Sequence, residues 1–179
     1  MRLVELEIAL CNWADIQCGC GRSAEHLATE LLRAAEGEPY GLVSALDGHA
    51  WSAPVLFPPA VAVASVCLAA LSGDIPAQAR VEFLDLLLWL VSGDGTDFGS
   101  AAEGLDLPLL CQQRAREGLW LLYDEVASGR SVEAAGSAFE ILSVVESDRE
   151  RLHKVRDHAG DLLPWHCQNG LCDEEPEPS

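Results

Sequence analysis

Apolar residues recur along this chain at helical spacing, and prolines and glycines mark where each run begins and ends. The clearest stretch, Pro58 to Gly93, reads PPAVAVASVCLAALSGDIPAQARVEFLDLLLWLVSG. Two amphipathic patterns sit back to back in it. Pro58 and Pro59 open the first and Pro76 the second, and each closes on a Ser-Gly pair, at Gly73 and Gly93. Proline loses no hydrogen bond at the first helical position, and glycine accepts a left-handed C-terminal cap, so this punctuation predicts two helices. The short link between them folds the pair back as an antiparallel hairpin.

The same reading extends in both directions. Arg2 to Leu10 is a short helix or an extended lead-in, followed by a glycine-bearing loop, CNWADIQCGCG. Ser23 is placed to cap a helix from Ala24 to Glu36, with Leu27, Leu31, Leu32 and Ala35 on one face. A short helix from Pro39 to Leu46 ends at Asp47-Gly48, and His49 to Phe57 is an irregular link. A loop from Gly93 to Asp106 precedes a helix from Pro108 to Ala127, which stops at Ser128-Gly129. Ser131 caps a helix through Glu146, and Asp148 caps a last one to Leu163, ended by Pro164. No alternating run of β-branched residues competes, so the fold class is all-α.

Amphipathic hairpins that each leave one face apolar bury it by stacking on the next pair. The expected architecture is therefore a short α-solenoid of stacked antiparallel hairpins, with a compact irregular helical bundle as the alternative. Residues 1–172 read as a single helical-repeat domain. The remaining residues, 173–179, form an acidic, proline-bearing tail expected to be disordered.

Four segments resemble the HEAT-like repeat proteins abundant in actinobacteria and other high-GC bacteria. They are NWADIQCGCGRSAEHLATELLRA, GHAWSAPVLFPPAVAVASVCLAAL, IPAQARVEFLDLLLWLVSGD with its Arg80, and CQQRAREGLWLLYDEVAS. Together they span residues 12 to 128. The likeness is one of helix grammar and carries no catalytic signature. The chain departs from it where Gly19 and Cys20 replace a frequent aromatic, and from Ser131 onward the likeness fades. The resemblance implies a protein-binding scaffold; some similar proteins are immunity proteins that neutralise bacterial toxins.

Composition narrows the partner. A hydrophobic content of 49% excludes a disordered acidic chain despite a net charge of −18. Such a charge repels nucleic-acid phosphates and anionic membranes and favours a basic protein. The acid is concentrated: Glu36 to Asp106 carries ten acidic residues against one base, Arg80. The N-terminus lacks a secretory pattern, and no apolar run is long enough to span a bilayer, so a cytoplasmic location is expected, with the seven cysteines reduced.

Candidate chemistry is sparse. Cys11, Cys18 and Cys20 near one end and His166, Cys167 and Cys172 near the other are possible ligands of one shared metal. The single residue between Cys18 and Cys20 falls below the usual chelating spacing, and the ends of a solenoid lie far apart. No cofactor and no metal are therefore expected, the thiols being read as small hydrophobes, with Cys67 and Cys111 in the core. None of the five histidines stands in a catalytic signature, although His49 beside Trp51 is the most distinctive. Asp94, Asp97, Glu103 and Asp106 crowd one loop without the ligand order of an EF-hand, and are read as a contact for a basic partner. Trp89 and Trp120 read as core, Trp51 and Trp165 as partner contacts. No nucleotide-binding or hydrolase motif is present. The expected function is thus a non-catalytic protein-binding module, an inhibitor of a basic toxin or enzyme. The alternatives are an adaptor in a larger assembly and a metal-binding enzyme or sensor.

Overall fold

The computed structural model describes residues 2–38, 41–93 and 104–172. Helices dominate them: α1 (Leu3–Leu10), a 3-10 turn (Trp13–Asp15), α2 (Glu25–Ala35), α3 (Leu42–Leu46), α4 (Ala60–Leu71), α5 (Ala77–Ser92), α6 (Leu107–Glu117), α7 (Leu119–Ala127), α8 (Val132–Val145), α9 (Arg149–Ala159), a second 3-10 turn (Gly160–Leu162) and α10 (Trp165–Gln168). The link expected to be irregular holds a small antiparallel ladder, β1 (Trp51–Ser52) and β2 (Val55–Leu56), which pairs Trp51 with Leu56 and Ser52 with Val55.

Local punctuation holds in places and shifts in others. The side chains of Ser131 and Asp148 cap α8 and α9, accepting from the Ala134 and Arg151 amides at 3.0 Å. Ser23 does not cap α2; its hydroxyl donates to Glu25 instead, and Ala24 takes the cap position. Gly93 closes α5 at φ −66°, without the expected left-handed turn. The single helix expected from Pro108 to Ala127 is broken into α6 and α7 at Gly118. A Cβ there would lie 2.5 Å from a terminal methyl of Leu68 in α4, so glycine lets the junction seat on that helix without displacing the leucine.

The core is organised around α5, which packs against α3, α4, α6 and α8; α4 also packs against α1 and α6. Phe83, Leu84, Leu86, Leu87, Leu90 and Val91 are fully buried, and a helix apolar nearly all round belongs in the middle of a domain. Cys67 and Cys111 are buried in the core, as their apolar neighbours suggest.

The polar residues of α5 tie it to its neighbours. The Glu82 carboxylate accepts from the Leu42 amide at 2.9 Å, and Asp85 accepts from the Ser137 hydroxyl at 2.7 Å. Arg80, itself buried, donates to Glu125 at 2.9 Å and to the carbonyls of Leu71 and Gly73 at 3.0 and 2.9 Å. Those carbonyls lie at and just past the C-terminal end of α4, so one guanidinium satisfies that terminus and bridges to α7. Among the described residues no helix is long and apolar enough to cross a membrane.

Candidate metal centre

Cys18 and Cys20 lie in the loop between the first 3-10 turn and α2. The loop closes on itself: the Cys18 amide donates to the Arg22 carbonyl at 2.8 Å and the Gly21 amide to the Cys18 carbonyl at 2.9 Å. This tight turn is docked onto the residues that follow α3. The Gly19 amide donates to the His49 carbonyl at 2.9 Å, and a Cβ at Gly19 would fall 2.5 Å from Phe57 and 2.7 Å from the Gly48 carbonyl. The single residue between the two cysteines must therefore be glycine for the loop to reach His49. His26 enters from the first turn of α2.

Four side chains converge as a result. Cys18 Sγ lies 3.2 Å from His49 Nδ1 and 3.8 Å from His26 Nε2, and the two ring nitrogens are 3.1 Å apart. With Cys20 Sγ, all four ligand atoms fall within 4.8 Å of one another. A tetrahedral zinc ion with its usual bond lengths sets edges of about 3.3 Å for N···N, about 3.6 Å for S···N and about 3.8 Å for S···S. The three edges among Cys18, His26 and His49 thus match a site for zinc to within a few tenths of an ångström, with Cys20 Sγ close enough to supply the fourth ligand.

The second contacts favour ligation. His26 Nδ1 sits 3.1 Å from the Ser23 carbonyl, an acceptor only, so that nitrogen carries the proton. Nε2 is left with its lone pair facing the cluster, the tautomer a metal requires. Cys18 is buried, and burial pushes its thiol up. Cys20 is exposed, and hydrogen bonding from Arg22, backbone first and then side chain, pulls its thiol down to about 6. Two thiolates and two neutral imidazoles would neutralise a divalent ion.

From the sequence alone, one shared ion for the cysteines of both ends is only a candidate that is set aside, with no metal expected. The geometry instead joins Cys18 and Cys20 to His26 and His49, and gathers His166, Cys167 and Cys172 separately around Glu140. Cys11 belongs to neither group. No local signature gives His26 and His49 away, because they reach the cysteines through α2 and the turn after α3. The glycine inside Cys18-Gly19-Cys20 was the available signal.

The aromatic residues are also redistributed. Trp51 is buried, its ring stacked on Trp89 at 4.7 Å between centroids, so it lacks the exposure expected of a partner contact. Trp89 and Trp120, expected in the core, are 45% and 77% exposed, and Trp165 is 70% exposed. Trp120 was misread because α7 presents it to solvent beside an open concavity of about 520 Å³, which it lines with Tyr123, Val126, Arg151, Val155 and Ala159. Asp106 caps α6, accepting from the Leu109 amide at 3.0 Å. Asp94, Asp97 and Glu103 lie outside the described residues.

The floor of that concavity is a charged network. The Tyr123 hydroxyl donates to the buried Glu146, whose carboxylate also accepts from Arg151 at 3.0 Å and from the Asp148 amide at 2.8 Å. Burial alone would raise the Glu146 pKa; hydrogen bonds from Tyr123, the Asp148 amide and Arg151 outweigh it and hold the pKa below the ordinary carboxylate value. The stability this gives is present above the ordinary carboxylate range and is lost as pH falls through the lowered pKa. Tyr123→Phe removes one bond to a charged acceptor, and urea denaturation at neutral pH is expected to show a loss of about 1.5–3 kcal/mol. The deficit should shrink in acid, once Glu146 is protonated.

Comparison of the chain with protein-family models, with curated proteins and with solved structures finds no match.

Proposed function

We propose that the chain is a metal-stabilised, non-catalytic helical module that works by binding another protein. The convergence of Cys18, Cys20, His26 and His49 carries this reading. A tetrahedral ion held by four protein ligands has no position left for water or substrate, the pattern of structural and not catalytic zinc. Such an ion would fix the Cys18–Arg22 turn, the start of α2 and the turn after α3 to one another.

The packing order is consistent with a stack of helix pairs. α4 packs against α1 and α6, and α5 against α3 and α8, as successive members of two rows would. In this reading the HEAT-like resemblance describes the arrangement, and a cytoplasmic, reducing location suits the thiols. Binding falls to the exposed Trp120 and its concavity, since tryptophan anchors interfaces where it can be desolvated. The net charge of −18 favours a basic partner, and inhibition of a basic toxin or enzyme is the activity proposed.

The test is capture from the host lysate at low and then high salt, with wild type beside Trp120→Ala. A stoichiometric basic protein, released by salt and lost in the variant, is expected. Its activity, assayed with and without the chain, separates an inhibitor from an adaptor. A partner indifferent both to salt and to Trp120 would overturn the binding half of the proposal.

A further inference from the structure

We infer a second metal site at the other end of the chain, made by Glu140, His166, Cys167 and Cys172, which clamps the C-terminal segment onto α8. One carboxylate oxygen is its hub. Glu140 Oε1 lies 2.8 Å from His166 Nε2 and 3.9 Å from each of Cys167 Sγ and Cys172 Sγ, and all four ligand atoms fall within 4.8 Å of one another. Zinc's bond lengths set an S···O edge of about 3.6 Å, close to both sulfur distances. They set an N···O edge of about 3.4 Å, and His166, 48% exposed, has room to widen its contact to that value.

The backbone is shaped to bring these groups together. Gly136 and Glu140 stand four residues apart on α8 and so share a face. A Cβ at Gly136 would lie 2.8 Å from Pro164, so the glycine lets the chain press against α8 one turn before Glu140. His166 and Cys167 then follow on α10. Gly170, at φ +77°, turns the chain back, with the Leu171 amide donating to the His166 carbonyl at 3.0 Å, and this returns Cys172 to the same carboxylate.

Without a metal the arrangement has little to recommend it. Cys167 is buried beside a carboxylate, and both sulfurs reach Glu140 only at 3.9 Å, near the outer limit of a thiol hydrogen bond, so neither is a strong partner for it. α10, four residues long, is too short to hold itself in place by helix formation. A cation among two sulfurs, an imidazole and a carboxylate accounts for all four, and that donor set is one zinc takes.

The site is independent of the first, and one experiment separates them. The full chain, reduced and stripped of metal, is titrated with cobalt(II) while the thiolate-to-metal charge-transfer band is followed. Wild type is expected to take two equivalents. Cys172→Ala and Cys18→Ala should each take one and the double variant none, with unchanged far-ultraviolet dichroism. His166→Ala, a change at an exposed side chain, should weaken only the equivalent that Cys18→Ala retains. Two equivalents in both Cys172→Ala and His166→Ala would overturn the second site. So would a single wild-type equivalent that Cys18→Ala abolishes, and the first site would then stand. A single equivalent lost in Cys172→Ala and kept in Cys18→Ala would support the second site and overturn the first.

Discussion

Removing the metal with a strong chelator is expected to lower the melting temperature of the purified chain by roughly 8–16 °C. A ligand that binds only the folded state at a thousand times its Kd stabilises it by about 4.1 kcal/mol. In a domain of this size each kcal/mol moves the midpoint by about 2–4 °C. Complete unfolding is not expected, in contrast to small zinc fingers, because α5 and the helices packed on it, α3, α4, α6 and α8, contain none of the first centre's four ligands. The loss should be local: amides from Cys18 to Arg22 and around His49 should exchange faster, while those of α5 and α8 keep their protection. In the Cys172→Ala background, where the Glu140 group holds no ion, His49→Ala should reproduce the chelated midpoint, and chelator should then move it far less. Because the Glu140 group would also lose its ion, the Cys172→Ala chain isolates the contribution of the first centre.

Glu125→Ala is expected to cost about 3–5 kcal/mol, as much as truncating a fully buried core side chain. Arg80 would keep its two carbonyl partners but lose the carboxylate that pairs with it, among the described residues, across the interface between α5 and α7. A buried cation left without its counter-charge is what makes such deletions severe. Arg80→Met should cost less, because Arg130 still donates to Glu125 at 3.0 Å and the remaining penalty falls on the carbonyls of Leu71 and Gly73. Replacing both residues, as Arg80→Met with Glu125→Leu, should recover part of the loss. Urea midpoints of the two single variants and the double variant form the cycle that checks this. A double variant worse than the sum of the singles would show that the ion pair is not what holds α7 to α5.

The helices were legible because their signals are local. Ser131 and Asp148 announced α8 and α9, and the apolar run from Val81 to Val91 announced the buried helix at the centre. Gly118 was not legible as a break, since its reason is the Leu68 side chain of another helix. Trp120 was misplaced for a similar reason, since a tryptophan in a leucine-rich helix says nothing about which way that helix is turned, whereas Trp51, outside the helices, is buried by its stack on Trp89. Arg80 stood out as the lone base in an acidic region, yet its buried carboxylate lies 45 residues away. The metal centre was half legible. The cysteines could be seen, but their histidines arrive from separate elements, and the close spacing of Cys18 and Cys20 argued against chelation until Gly19 was found pressed against Phe57 and the Gly48 carbonyl.

The most direct test of the central claim is the metal content of the full chain, purified under reducing conditions with trace zinc present, beside His49→Ala and Cys18→Ser. Wild type should carry one more equivalent of zinc than either variant, while all three keep the same helical dichroism. Equal metal content in the three proteins, or none in any, would contradict a centre built from Cys18, Cys20, His26 and His49.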